Sequence, residues 1–321
     1  MSLFPKEIKK VPDCQKDTIS SLSWSLNSTL LCSTSWDGTA RIWRLNSELS
    51  HPELCVIDTR PMLCSSFFNN TRLITAGAEF SVKETDLETG KSHLLGLHTK
   101  EICSVSSDHS RGLVFSASYD KTICAWNEPT KGKPSLKIQL PDSIYSMDYV
   151  PPFISVGTSS RDVIVFDIRN SSHPILTAGP SEGTITCIKM LPSAIGVANG
   201  SNDGRVTISF LDISKTRYSF RAHCRYNEKF RRTIFYQVNA IAFHPSQLLC
   251  TGGGDGSYSL WDVLAPAPCR TDICFEKPVT ALSYSPDGKY LATATGYDWS
   301  MAPYDYCCKT MRADLFIQPV T

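Results

Sequence analysis

The sequence has almost no net charge. Its 321 residues hold 32 Lys and Arg against 31 Asp and Glu, +1 overall, so no whole-molecule field draws nucleic acid or an anionic membrane. No apolar run approaches the roughly 18 residues that span a bilayer, and Met1 to Lys10 lacks an apolar stretch of secretory length, so a chain made in the cytosol without a signal peptide is expected. The thirteen cysteines contain no C-x-x-C. Scattered, odd in number and mostly set in apolar runs, they are expected as buried reduced thiols, not disulfides or metal ligands. The seven histidines show neither H-x-x-x-H nor H-x-x-E-H spacing, and G-x-S-x-G and G-x-x-x-x-G-K-[ST] are missing. No catalytic residue, metal site or cofactor is assigned, and an enzyme is not expected.

What is present is a repeat. Hydrophobic residues make up 41% and charged residues 20%, ordinary values for a packed domain. Short stretches of period-two alternation return along the whole chain, bounded by Gly, Asp, Asn, Ser or Pro, with no sustained 3.6-residue stripe, so the chain is expected to be all-β. Ser33 to Trp43 reads STSWDGTARIW, Ser116 to Trp126 reads SASYDKTICAW, and Thr251 to Trp261 reads TGGGDGSYSLW. Turn residues fall at Asp37, Glu79, Asp120, Ser160, Asp203, Asp255 and Asp298, in steps of 42, 41, 40, 43, 52 and 43. A period near 42 is that of a four-stranded propeller blade, and seven turns predict seven blades in one domain over 1–321. Gly252 to Gly256 reads as a hairpin turn and not a phosphate loop, because strands flank it on both sides.

Ring closure brings the chain ends together, since an open ring leaves unpaired strand edges. The last strand candidate, Asp314 to Gln318, leaves the seventh blade one strand short, and Glu7 to Val11 is expected to complete it as the outer strand. Deleting residues 1–13 should therefore lower the melting temperature sharply; an unchanged Tm would overturn this closure.

The 52-residue step marks an insertion, placed at about 215–235 between the fifth and sixth repeats. Lys215 to Arg232 carries seven basic residues and one acidic one, +6, leaving −5 on the rest of the chain. Such a patch on a mildly acidic body is an anion receptor by physical default. Alternation through Thr216 to Arg221 turns Tyr218 and Phe220 one way and Arg217 and Arg221 the other, so the arginines are held on a strand. A single cluster without a longer basic track points to an acidic or phosphorylated peptide and away from nucleic acid. Trp36 and Tyr119 occupy the same repeat position, just before the turn Asp, so they should share a rim and serve as aromatic anchors.

The repeat units resemble the WD-repeat family, with Trp261-Asp262 as the literal motif and Trp43-Arg44, Thr85-Asp86, Trp126-Asn127 and Phe166-Asp167 as degenerate forms. That resemblance implies a hydrogen-bonded set of His98, Ser116, Asp120 and Trp126. Asp203 to Val206 (DGRV), Tyr218 to His223, Tyr236 to His244 and the following Gly-rich turn are similar to two related groups: spindle-checkpoint propellers of the Bub-three type and messenger-RNA export propellers of the Rae/Gle type. Val156 to Thr158, Val165 to Asn170 and Thr34 to Gly38 lean to the checkpoint type, and Tyr297 to Trp299 to the export type. The resemblance implies a monomeric, non-catalytic scaffold of the nucleus, kinetochore and cytoplasm. One face would bind an acidic motif of Bub-type checkpoint kinases and phosphothreonine repeats of a kinetochore scaffold; the alternative is an export factor binding an acidic nucleoporin segment. Partner-binding roles are implied for Trp36, Tyr119, Arg205, Arg221 and Arg225. No membrane partner is implied.

Overall fold

The computed structural model describes residues 8–45, 51–127, 132–228, 231–263, 272–300 and 312–320. After a short strand β1 (Lys9–Val11), the chain winds through seven sheets. Blade 1 holds β2 (Ile19–Trp24), β3 (Leu30–Ser35), β4 (Thr39–Arg44) and β5 (Leu54–Ile57). Blade 2 holds β6 (Met62–Phe67), β7 (Arg72–Gly77), β8 (Ser81–Asp86) and β9 (Ser92–Leu97). Blade 3 holds β10 (Ile102–Asp108), β11 (Leu113–Ser118), β12 (Thr122–Trp126) and β13 (Leu136–Gln139). Blade 4 holds β14 (Ile144–Val150), β15 (Phe153–Thr158), β16 (Val163–Asp167) and β17 (Leu176–Ala178). Blade 5 holds β18 (Ile185–Met190), β19 (Gly196–Ser201), β20 (Arg205–Phe210) and β21 (Tyr218–Arg221). A separate hairpin follows, β22 (Cys224–Asn227) with β23 (Arg232–Phe235). Blade 6 holds β24 (Val238–Phe243), β25 (Leu249–Gly253), β26 (Ser257–Trp261) and β27 (Asp272–Cys274). Blade 7 joins β28 (Val279–Tyr284), β29 (Tyr290–Thr295) and β30 (Asp314–Pro319) to β1.

All strand pairs are antiparallel, and each blade's first strand packs on those of its two neighbours, β28 meeting β2 to close the ring. The protein is an all-β, seven-bladed propeller. Each first strand carries a register shift just after its first residue, as between Ile19 and Ser21 or Val279 and Ala281. A bulge at the same place in all seven blades bends the strands alike. Apolar residues fill the seams between blades: Trp43, Leu31 and Ile19 pack with Val11, Leu315 and Ile317 across the closure.

The closing strand is where the pattern placed it. Lys9, Lys10 and Val11 pair with Ile317, Phe316 and Leu315, and Lys10 Nζ lies 2.7 Å from Asp314 Oδ1. Glu7 falls outside the described residues, as do Lys229 and Phe230 of the basic stretch. That stretch divides in two: β21 is blade 5's own outer strand, and the extra chain is the hairpin β22–β23. Tyr218 is less enclosed than alternation predicts, 36% exposed, although it packs on Phe220 and Phe210 and its hydroxyl donates to the Val263 carbonyl.

The turns between second and third strands need a left-handed residue. Gly38, Gly204 and Gly256 supply it at φ +80°, +79° and +75°, and Phe80, Lys121 and Arg161 stand in the same place at +65° to +72°. At Gly38 a side chain is also barred by space, since a Cβ would come 2.7 Å from the Asp58 carbonyl oxygen.

The His98 set forms as expected. His98 Nδ1 lies 3.0 Å from Asp120 Oδ2, its Nε2 2.7 Å from Ser116 Oγ, and Trp126 Nε1 donates to the same Oγ at 2.7 Å. Burial pushes the His98 imidazole below its ordinary range, so the neutral ring receives the Ser116 proton. Burial opposes the charge on Asp120, but hydrogen bonds from Thr122, the Thr99 N–H and His98 outweigh it and hold that carboxyl at about 2. A second set was not read from the sequence: His223 with Asp255 and Thr251, each at 3.0 Å, and Trp261 Nε1 donating to Thr251 Oγ1 at 2.9 Å. Threonine in the serine position and the inserted hairpin obscured its spacing.

Candidate peptide-binding face

The residue before the turn position is pinned by one recurring hydrogen bond. The N–H of Trp36, Ala78, Tyr119, Ser159, Asn202 and Gly254 donates to the carbonyl just ahead of its blade's first strand, at 2.9–3.0 Å. Six turns are thereby folded over the inner strands, and Trp36, Ala78 and Tyr119 border the central cavity. Only two of the six are aromatic, Trp36 and Tyr119, and the structure brings both into one cavity of about 810 Å³ at the centre of this face. Trp36 is 42% exposed.

Three further aromatics, Tyr145, Tyr297 and Trp299, line the cavity. Tyr145, at the start of blade 4, meets Tyr119 edge-on at 5.7 Å between ring centroids, and Trp299 lies 6.2 Å from Trp36 and 5.2 Å from Tyr297. Burial pushes the Tyr119 phenol up to about 12, so it offers a neutral hydroxyl. Trp299 was not among the predicted site residues because blade 7 breaks the repeat rule: there Gly296 makes the pinning hydrogen bond, and Trp299 reaches the cavity from beyond the turn at φ +60°. The charges in this cavity are acidic. Glu101 and Asp298 line it, and Asp298 accepts from Asn239 at 3.1 Å.

The arginines gather elsewhere on the same face, along the rim of blades 5 and 6. Arg205 opens β20 and Arg221 ends β21, and the two are direct cross-strand partners. Arg205 is clasped by Glu182 Oε2 at 2.8 Å and Asp203 Oδ2 at 3.1 Å. Arg221 donates to the Asp203 carbonyl at 3.2 Å and lays its guanidinium 3.8 Å from the Phe235 ring centre, a cation–π contact that fixes it. Arg217 Nη2 donates to Ser181 Oγ at 3.1 Å. It shares with Arg205 a niche of about 220 Å³ that includes Ser201, Thr207 and Ser219. Arg225, on β22, stands 3.9 Å from Asp255 Oδ2 and 3.5 Å from Cys274 Sγ, half exposed. Trp36 and Tyr119 thus belong to one cluster, Arg205 and Arg221 to another, and Arg225 points to blade 6.

Nothing in either cluster is arranged as a metal centre: among the described residues no group of three His, Cys, Asp or Glu could hold an ion. The described cysteines are all free thiols, with Cys32, Cys64, Cys124 and Cys250 buried and Cys55 and Cys274 exposed.

The WD domain, G-beta repeat pattern matches residues 6–44, 91–127, 229–262 and 268–301. Mitotic checkpoint protein BUB3.1 of Arabidopsis thaliana is 30% identical over 307 residues, 92% of this chain and 89% of that protein. The chain belongs to the WD40-repeat family. Within it the similarity extends to two groups, for Protein RAE1 of the same plant is 28% identical over 322 residues, 98% of this chain and 90% of that protein. The solved structure of U3-55K superposes with a TM-score of 0.85 over 99% of this chain and all of that one, at 16% identity, a likeness of fold alone.

Proposed function

We propose that this propeller is a non-catalytic scaffold of the spindle assembly checkpoint. Its aromatic centre takes the acidic motif of a Bub-type checkpoint kinase, and its arginine rim takes phosphothreonine repeats of a kinetochore scaffold, which places it in the nucleus, at kinetochores and in the cytoplasm. The observation that carries the reading is the cross-strand pair Arg205 and Arg221 on the same face as Trp36 and Tyr119. A phosphate brings about −1.5 to −2 charges, and each charge-assisted hydrogen bond to it is worth roughly 1.5–3 kcal/mol, so two held guanidinium groups suffice to select it. The similarity to BUB3.1 supports the checkpoint assignment.

One observation favours a second reading. Trp299, from the stretch that resembles export propellers, stands beside Trp36 in the central cavity, and the similarity to RAE1 is of comparable extent. On that reading the acidic segment belongs to a nucleoporin and the role is messenger-RNA export.

Titration calorimetry with paired peptides tests the proposal. The unsubstituted protein should prefer a phosphothreonine scaffold peptide over its plain form by about tenfold or more, and Arg205→Ala with Arg221→Ala should erase that preference while leaving the circular dichroism unchanged. Equal affinity for the two peptides in the unsubstituted protein refutes it. Capture from nuclear extract separates the readings, Bub-type kinases for one and a nucleoporin for the other.

A further inference from the structure

The aromatic centre carries charge of one sign. Glu101 and Asp298 line it and, among the described residues, no Lys, Arg or His does. Asp298 is held by the fold: its Oδ2 accepts from Asn239 Nδ2 at 3.1 Å, and its Oδ1 from the Ser300 N–H at 3.1 Å and the Ser300 hydroxyl at 2.7 Å. Glu101 differs. Its backbone carbonyl accepts from the Tyr119 N–H at 3.0 Å and from the Ser118 hydroxyl at 2.8 Å, but among the described residues no hydrogen bond or ion pair engages its carboxylate. The repeat shows that the turn does not need this charge. Thr18, Pro61, Ser143, Thr184, Gln237 and Pro278 offer the carbonyl for the same pinning bond in the other blades, at 2.9–3.0 Å, and all six are neutral.

The rings of the cavity add to the carboxylate. Tyr119, pinned to the Glu101 carbonyl, meets Tyr145 edge-on at 5.7 Å, and Trp36, Tyr297 and Trp299 line the same cavity. Aromatic faces are the negative side of the ring quadrupole and attract cations. A carboxylate without a counter-ion in a ring-lined cavity of about 810 Å³ attracts them too, and is screened less there than on an open surface. The two kinds of group therefore favour the same ligand. Of the two common cationic side chains, the guanidinium is planar, weakly hydrated, stacks on aromatic faces and matches a carboxylate with its forked donors, whereas the compact ammonium is strongly hydrated and gives up more on entry.

We infer that the aromatic centre is a receptor for an arginine side chain of the partner segment, its guanidinium laid on the ring faces and paired with the Glu101 carboxylate. This rests on the proposed reading of the face as a peptide site and adds the residue that the centre selects. The bound segment carries charge of both signs: acidic or phosphorylated residues go to the arginine rim and one arginine goes to the centre. A segment acidic throughout meets repulsion at Glu101, so the face discriminates by charge pattern as well as by total charge.

The probe is N-acetyl-arginine methylamide, titrated into the full chain with its tryptophans isotope-labelled at the indole nitrogen and followed by NMR. The citrulline analogue serves as the uncharged isostere and the lysine analogue as the other cation. The indole N–H signals of Trp36 and Trp299 should shift saturably with the arginine compound, with citrulline weaker by about tenfold or more and lysine in between, while those of the buried Trp126 and Trp261 stay in place and report an intact fold. Glu101→Gln should weaken arginine binding by about fivefold or more and shrink its preference over citrulline. Trp36→Leu, which keeps apolar bulk and removes the ring face, should weaken it as well, read at Trp299. Absent or unsaturable shifts, equal affinity for citrulline, lysine binding as tightly as arginine, or undiminished binding in Glu101→Gln would each overturn the inference. No phosphate enters this titration, so a missing phosphothreonine preference would refute the checkpoint reading with arginine binding intact, and equal binding of arginine and citrulline would overturn the inference with that preference intact.

Discussion

The aromatic centre and the arginine rim share one face but are built by different means. Trp36 and Tyr119 are placed by the repeat itself, through one backbone hydrogen bond that recurs in six turns. Arg205 and Arg221 are placed by what is irregular: the cross-strand pair at the edge of blade 5, next to the inserted hairpin that supplies Phe235. The two also differ in charge. The centre holds Glu101 and Asp298, which repel an acidic peptide, so on the proposed function the contribution of the centre comes from ring burial and attraction from the rim. The proposed function then divides affinity to the centre and charge selection to the rim.

The largest effect should come from breaking the centre. Trp36→Ala removes a half-exposed indole of hot-spot type, worth about 2 kcal/mol or more, so affinity for an acidic partner segment should fall by about thirtyfold. Trp299→Ala should cost a similar amount, and the double variant less than the sum, because the two rings touch and act as a unit. Calorimetry on the four proteins measures the coupling. Fully additive losses, or a loss that shrinks steeply as salt rises, would contradict the partition, since ring burial is insensitive to screening and rim contacts are not.

How much of this is legible in the sequence alone depends on whether a feature is repeated. Asp37 with Gly38, Asp203 with Gly204 and Asp255 with Gly256 announce their turns, because only a few residues accept the left-handed backbone found there, and their spacing counted the blades. Ring closure followed from strand arithmetic, and Lys9–Val11 pairs where a missing strand was needed. The side of the strand on which Arg217 and Arg221 lie followed from alternation. Trp299 did not follow, because blade 7 shifts the pinning hydrogen bond by one residue to Gly296. The His223 set was hidden by Thr251 standing for serine. Glu182 could not be foreseen at all: it reaches Arg205 from the connection between blades 4 and 5, a contact with no signature in local sequence.

Glu182 also gives the smallest and sharpest way to refine the comparison. Its carboxylate is 64% exposed, yet it lies 2.8 Å from Arg205, on the guanidinium that a phosphate would need. An exposed pair of this kind is worth about 0–1 kcal/mol, so it weakly occupies the arginine without burying it. A phosphate, with nearly twice the charge, displaces the carboxylate; a plain acidic side chain must compete with it on equal terms. Glu182→Gln should therefore tighten binding of an unphosphorylated acidic peptide by about two- to fivefold and of the phosphorylated form by less, narrowing the selectivity of the rim while leaving the Trp36-dependent affinity unchanged. Competition binding with the two peptides reads both numbers. A uniform gain for both would mean that Glu182 acts only through net charge, and no gain for either would mean that the anion contacts Arg221 and bypasses Arg205.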